Sequence, residues 1–169
     1  YGIAAIRETF EEAGVFLGCH IEQTAVELEK LNRMRHKGDL SDVWLWDLVK
    51  TRKWILAFSE LYRWSHWITP EKMKKRFDTR FFISSMPDGQ KCRPDNRETT
   101  HGIWVSPQAG LAGNLSGDIP LSPPAVVTLH ELLSYRHPGE LIQDAVQKSW
   151  DATLIPRLAP AGKEPVIVE

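Results

Sequence analysis

The run Arg7-Glu8-Thr9-Phe10-Glu11-Glu12-Ala13-Gly14-Val15 gathers three carboxylates into a short stretch of chain. Closely spaced carboxylates are the hard oxygen donors that Mg²⁺ and Mn²⁺ prefer. On an α-helix, which advances about 100° per residue, Glu8, Glu11 and Glu12 fall within an arc of roughly 100°. Ile3, Ile6, Phe10 and Ala13 cluster on the opposite side, so one face is expected to bury and the other to concentrate negative charge. That concentration costs stability. Glu8–Glu11 and Glu8–Glu12 are like charges at helical contact spacing, each pair repelling by about 0.2–0.5 kcal/mol. Arg7 relieves part of this through an i,i+4 contact with Glu11, and a divalent cation would relieve far more. The alternative is a solvated acidic face that holds nothing.

The elements that must carry this face follow from the surrounding chain. Gly14 supplies a residue that turns left-handed and stops the helix. Phe16 to Cys19 reads as a short strand. Ala25, Leu28, Leu31 and Met34 recur at helical steps and predict a helix over 21–34, ended by His36-Lys37-Gly38-Asp39. Ser41 then reads as an N-cap for a helix running to about Trp64. Its core face would be Val43, Trp46, Val49, Trp54, Phe58 and Leu61. Thr69-Pro70-Glu71 has the composition of a helix opening, with a basic turn of Lys72, Lys74 and Lys75 behind it. Residues 76–83 read as a strand on which Arg76, Asp78 and Arg80 share one face. Pro87-Asp88-Gly89 is a turn, 91–99 a polar loop, and 101–105 a second strand. Helices are expected from Ser106-Pro107, over 122–136 and over 140–150, with a Pro-rich tail from Pro156.

The chain has 169 residues and a net charge of −1. That length suffices for one core, and the balanced charge creates no global field toward nucleic acid or an anionic membrane. No apolar run approaches the ~20 residues needed to cross a bilayer. Cys19 and Cys92 lack a CxxC or His-spaced zinc pattern, which points to a reducing compartment. Five of the seven Trp, at 44, 46, 54, 64 and 67, crowd one region and are read as core and packing surface.

The order Arg, Glu, Glu-Glu, Gly resembles the second half of the Nudix box, with Arg7, Glu8, Glu11, Glu12, Gly14 and Val15 in place and Thr9 where an aliphatic residue is usual. The earlier Gly and Glu of that box would precede Tyr1, so the chain is expected to be a fragment that begins inside the box. Trp67-Ile68-Thr69-Pro70 and Arg76-Phe77-Asp78-Thr79-Arg80-Phe81-Phe82 resemble the branch that contains the peroxisomal acyl-coenzyme A diphosphatase and its bacterial relatives. Glu98, Thr99, Trp104 and Leu121 to Pro124 match later elements of the branch.

The resemblance implies an α/β fold, the α/β/α Nudix sandwich with a mixed sheet, incomplete at the N-terminus. It implies a single partial domain over 1–169 with a helical insertion over 20–65. It implies hydrolysis of the diphosphate linkage of coenzyme A or acyl-coenzyme A with Mg²⁺ or Mn²⁺. Glu8, Glu11 and Glu12 would be metal ligands. Glu8, Glu11 or the loop residue Glu98 would take a proton from water, and Arg7 would orient a catalytic Glu. Glu98 as an ordinary loop charge remains the alternative.

Arg76 and Arg80 are candidates for substrate phosphates, since a guanidinium fork suits phosphate geometry; an Arg-Asp-Arg ladder between strands is the alternative. Other nucleoside diphosphate derivatives, such as NADH or ADP-ribose, form a rival substrate class, and a non-catalytic Nudix-like binding module a rival function. The partner expected is a small molecule, with no nucleic acid and no membrane, and homodimer formation stays open. Location would be cytoplasmic in a bacterium and peroxisomal in a eukaryote.

Overall fold

The computed structural model describes residues 1–20, 24–97, 99–149 and 152–156. Glu98, Trp150 and the tail beyond residue 156 therefore lie outside the described residues. The chain groups into two compact units, Tyr1–Leu61 with Ser84–Trp104, and Tyr62–Ile83 with the chain from Val105 on.

The first unit opens with helix α1, Gly2–Ala13. Ile6 and Phe10 are fully buried on one side of it, while Ile3, expected to join them, is 60% exposed. The core lies under the second and third turns, and the first-turn Ile3 is outside it. Gly14 stops the helix at φ 69°, its N–H donating to the Phe10 carbonyl, as its position in the sequence requires. Strand β1 (Gly18–His20) pairs antiparallel with β2 (Trp54–Leu56). Between them lie helix α2, Thr24–Lys37, and helix α3, Trp44–Lys50. α2 ends in Arg35-His36-Lys37 followed by Gly38 at φ 77°, with Lys37 bringing positive charge to the negative end of the helix.

The long helix expected from Ser41 to Trp64 is not formed. α3 is seven residues long, and β2 and a 3₁₀ turn at Phe58–Glu60 follow it. Its buried residues are Trp44 and Leu45, whereas Val43, Trp46 and Phe58 are exposed. Within the expected 20–65 insertion, helices thus occupy 24–37 and 44–50, and strands 54–56 and 62 onward. The core of this unit is Ile6, Phe10, Phe16, Leu31, Trp44 and Trp54 with their apolar neighbours. Its aromatic rings meet edge-on or tilted, Phe10–Trp44 at 5.0 Å and Phe16–Trp54 at 5.1 Å, the arrangement their quadrupoles favour.

The second unit holds a mixed sheet in the order β4-β3-β5. β3 (Tyr62–Ile68) pairs antiparallel with β4 (Asp78–Ile83) and parallel with β5 (Thr153–Leu154). Thr69-Pro70-Glu71 does not start a helix. Thr69 closes the β3–β4 hairpin loop instead, its hydroxyl accepting from the Phe77 N–H at 3.0 Å. No strand forms at 101–105, which is irregular.

Helices α4 (Pro107–Ser116), α5 (Pro123–Leu132) and α6 (Pro138–Gln147) each begin with Pro in the first turn. There its missing N–H costs nothing. Ser106 caps α4 through the Ala109 N–H at 3.2 Å. The Tyr135 hydroxyl donates to Asp144 on α6, and that bond pushes its pKa up to about 12. Among the described residues no helix is long and apolar enough to cross a membrane.

Candidate metal-binding face of the acidic helix

The side of α1 opposite Ile6 and Phe10 carries Glu8, exposed, and Glu11 and Glu12, half-buried. Arg7 is bonded to Glu8, and its Nε stands 3.7 Å from Glu11 Oε2, one helical turn away. These carboxylates raise the Arg7 pKa, the Glu8 bond contributing most. Glu11 is oriented from its other side, because the Trp44 indole N–H donates to its Oε1 at 2.6 Å. Trp44 is therefore both a core ring and a donor to the acidic face. Trp44→Phe keeps one aromatic ring in a buried position but removes both the donor and the fused five-membered ring. It is expected to lower stability by about 2 kcal/mol, from the lost hydrogen bond and the volume left unfilled, read as a lower urea midpoint with an unchanged slope.

The last turn of a helix leaves carbonyls without intrahelical partners. Here distant residues take them. Arg35 Nη1 donates to the Glu11 carbonyl at 3.1 Å, and Nη2 donates to the Arg93 carbonyl at 2.9 Å. The Asp95 N–H donates to the Glu12 carbonyl at 3.1 Å and the Arg93 N–H to Ala13 at 2.8 Å. The Thr99 hydroxyl lies 2.9 Å from the Glu12 carbonyl and 2.9 Å from Asp95 Oδ1. Burial lowers the Arg35 pKa, and the charge of Asp95 opposes that shift; a guanidinium stays protonated all the same.

Gly14 is constrained twice by this arrangement. Its φ is left-handed, and a Cβ there would meet Arg35 Nη2 at 2.7 Å and Asn32 Oδ1 at 2.9 Å. Gly14→Ala is expected to destabilise by about 2–3 kcal/mol, measured by denaturant unfolding. Gly14→Asn tolerates the backbone conformation but not the crowding, so a loss in that variant separates the crowding by Arg35 and Asn32 from the backbone cost.

The remaining sequence candidates fall as follows. Glu98 lies outside the described residues, though its neighbour Thr99 touches α1. Arg76 and Arg80 belong to the second unit. Arg80 pairs with Asp78 at 2.7 Å, and Asp78 also holds the buried His66 at 2.7 Å. Asp78 thus bridges His66 on β3 and Arg80 on β4. Arg76 is exposed and donates through Nε to the Thr69 carbonyl at 2.9 Å. Lys72, Lys74 and Lys75 are exposed in the hairpin loop. Arg35, Asp95 and Thr99 were not legible as a group in the sequence, because their partners lie 24 to 87 residues away.

A cleft of about 390 Å³ lies against α2 and α3, lined by Leu31, Met34, Trp44 and Leu48 among others. Glu27, Asp39, Asp47 and Lys30 stand around it.

Among the described residues no three carboxylates, imidazoles or thiols converge into a metal cage. Mg²⁺ does not need one. It keeps several waters and is held by one or two carboxylates together with substrate phosphates. Carboxylates aligned on one side of a helix, with a surface-exposed member in Glu8, fit that mode of binding.

A family model described as the NUDT19 Nudix domain matches residues 1–132. The acyl-coenzyme A diphosphatase NUDT19 of Xenopus laevis is 31% identical over 162 residues, covering 87% of this chain and 43% of that protein. The protein of the same name from Homo sapiens is 26% identical over 168 residues, covering 83% of this chain and 41% of that protein. The chain thus spans about two fifths of the length of these curated relatives. A crystal structure of a Nudix hydrolase from Alicyclobacillus acidocaldarius superposes with a TM-score of 0.63 at 21% identity, covering 84% of this chain and 64% of that one. The likeness in fold is a Nudix one.

Proposed function

Because the chain belongs to the NUDT19 Nudix domain family, which it matches over residues 1–132, we propose that it is the part of a diphosphatase that carries the metal-holding helix. The substrate is coenzyme A or an acyl-coenzyme A. Water attacks one phosphorus of the anhydride and the bridging P–O bond breaks. Adenosine 3′,5′-bisphosphate and (acyl-)phosphopantetheine result. One observation supports this most: α1 sets Glu8, Glu11 and Glu12 outward while burying Ile6 and Phe10 on the side behind them.

The residues present give each group a task. Glu12 is the first choice to hold the divalent ion, with Glu11 and Glu8 beside it. Mg²⁺ or Mn²⁺, when bound, neutralises phosphate charge and lowers the pKa of water. Arg7 orients Glu8 and Glu11 through the contacts already described. Glu11, Glu8 or the loop residue Glu98 accepts the proton from the attacking water. Of the two arginines proposed for phosphate, Arg76 is better suited, since Arg80 is engaged by Asp78. A cytoplasmic location fits a bacterial source and a peroxisomal one a eukaryotic source.

The test is turnover by the full-length protein of coenzyme A, acyl-coenzyme A, NADH and ADP-ribose, each with Mg²⁺ or Mn²⁺ and with products identified by mass. Preference for a coenzyme A substrate supports the reading. Preference for NADH or ADP-ribose moves the protein to another Nudix specificity, and no turnover of any substrate leaves a binding module.

A further inference from the structure

We propose that Arg35 and Thr99 are positioning residues that fix the main chain of Glu11 and Glu12 in the register metal binding requires, an inference that rests on the functional reading above. Where a carboxylate points depends first on where its backbone sits. The carbonyls of Phe10, Glu11, Glu12 and Ala13 are the ones an isolated helix would leave to water. In this chain Gly14 takes the first, Arg35 the second, Asp95 and Thr99 the third, and Arg93 the fourth. The end of the acidic helix is thus held carbonyl by carbonyl.

The chemistry of Arg35 suits this task. It is 6% exposed, and a buried cation is costly unless its donors are used; Nη1 and Nη2 are used, while Nε has no partner among the described residues. Its planar fork spans two segments, the Glu11 carbonyl on α1 and the Arg93 carbonyl on the loop, which a single ammonium cannot do in the same geometry. It also brings positive charge to a helix end that is negative both by its dipole and by its glutamates. The loop is kept in shape by Asp95, whose Oδ1 accepts from the Thr99 N–H at 2.8 Å and the Arg97 N–H at 3.1 Å. Thr99 then relays that order to Glu12 through its hydroxyl.

The experiment uses the full-length protein and reads Mn²⁺ binding by EPR titration beside kcat, KM and Tm. Removing a group that supports a metal ligand typically weakens metal affinity or activity by about 10- to 100-fold. Thr99→Val, nearly isosteric, is expected to weaken Mn²⁺ binding about 10-fold and lower kcat, with KM little changed. Arg35→Met is expected to do the same more strongly, and Arg35→Lys to recover part of the loss. Should Arg35→Met fail to fold, Thr99→Val decides. A Thr99→Val protein that loses Tm but keeps its Mn²⁺ affinity and kcat assigns the residue to stability alone and overturns the proposal. The unsubstituted protein is titrated first. If it binds no Mn²⁺, the functional reading itself falls and the proposal with it.

Discussion

Glu12→Gln in the full-length protein is expected to lower kcat by about 1000-fold or more, equivalent to about 4 kcal/mol of transition-state stabilisation. The substitution keeps the shape of the side chain and removes its charge, and the charge is what a divalent ion uses. The main chain at this position is held through its carbonyl, by the Asp95 N–H and the Thr99 hydroxyl. Far-UV and near-UV circular dichroism should therefore be unchanged while Mn²⁺ affinity falls. The loss must appear in kcat rather than only in KM, since an interaction made solely in the transition state affects kcat and kcat/KM alike. Activity within a fewfold of the unsubstituted enzyme would remove Glu12 from the metal site.

The second large effect concerns the other side of the same helix. Phe10→Ala is expected to cost about 3–5 kcal/mol. Phe10 is fully buried, its ring 5.8 Å from that of Phe16 and 5.0 Å from that of Trp44, with the Arg35 guanidinium 5.9 Å from its centroid. Truncation leaves a cavity bordered by stiff aromatic rings that cannot collapse into it. Whole domains are stable by only about 5–15 kcal/mol, so this one change consumes a large part of the margin. Ile3→Ala, on the same helix but 60% exposed at the native residue, is expected to shift stability by less than about 0.5 kcal/mol. Chemical denaturation of the pair measures both, and equal effects would mean that burial along α1 is not as described.

What could be read in advance was local. α1, its acidic face and its stop at Gly14 follow from a 3.6-residue period and from a glycine at the one position that must turn left-handed. The helix starts at Ser106-Pro107 and Ser122-Pro123 were legible for a similar reason, since capping residues and Pro act within one turn. The helix expected from Ser41 to about Trp64 overran its true end at Lys50 because apolar residues recur there at steps that suit a helix. Beyond Lys50 the chain forms β2, the 3₁₀ turn at Phe58–Glu60 and β3. The alternation that would have shown β3 is broken by the register shift between Arg63 and Ser65, which leaves Trp64, His66 and Trp67 all buried. Arg35 was illegible for another reason. A basic residue in the last turn of a helix ordinarily offsets its own dipole, and here it serves the end of a different helix.

The bond from the Trp44 indole to Glu11 has an optical consequence. A negative oxygen on the ring nitrogen lowers the energy of the indole transition, so the absorbance and emission of this tryptophan depend on whether that oxygen is committed elsewhere. Capture of Glu11 by a cation would withdraw the acceptor and move the band to the blue. Subtracting the spectrum of Trp44→Phe isolates this one chromophore from the other six tryptophans. A cation bound at Glu11 would thereby be read from Trp44 itself, without any added dye.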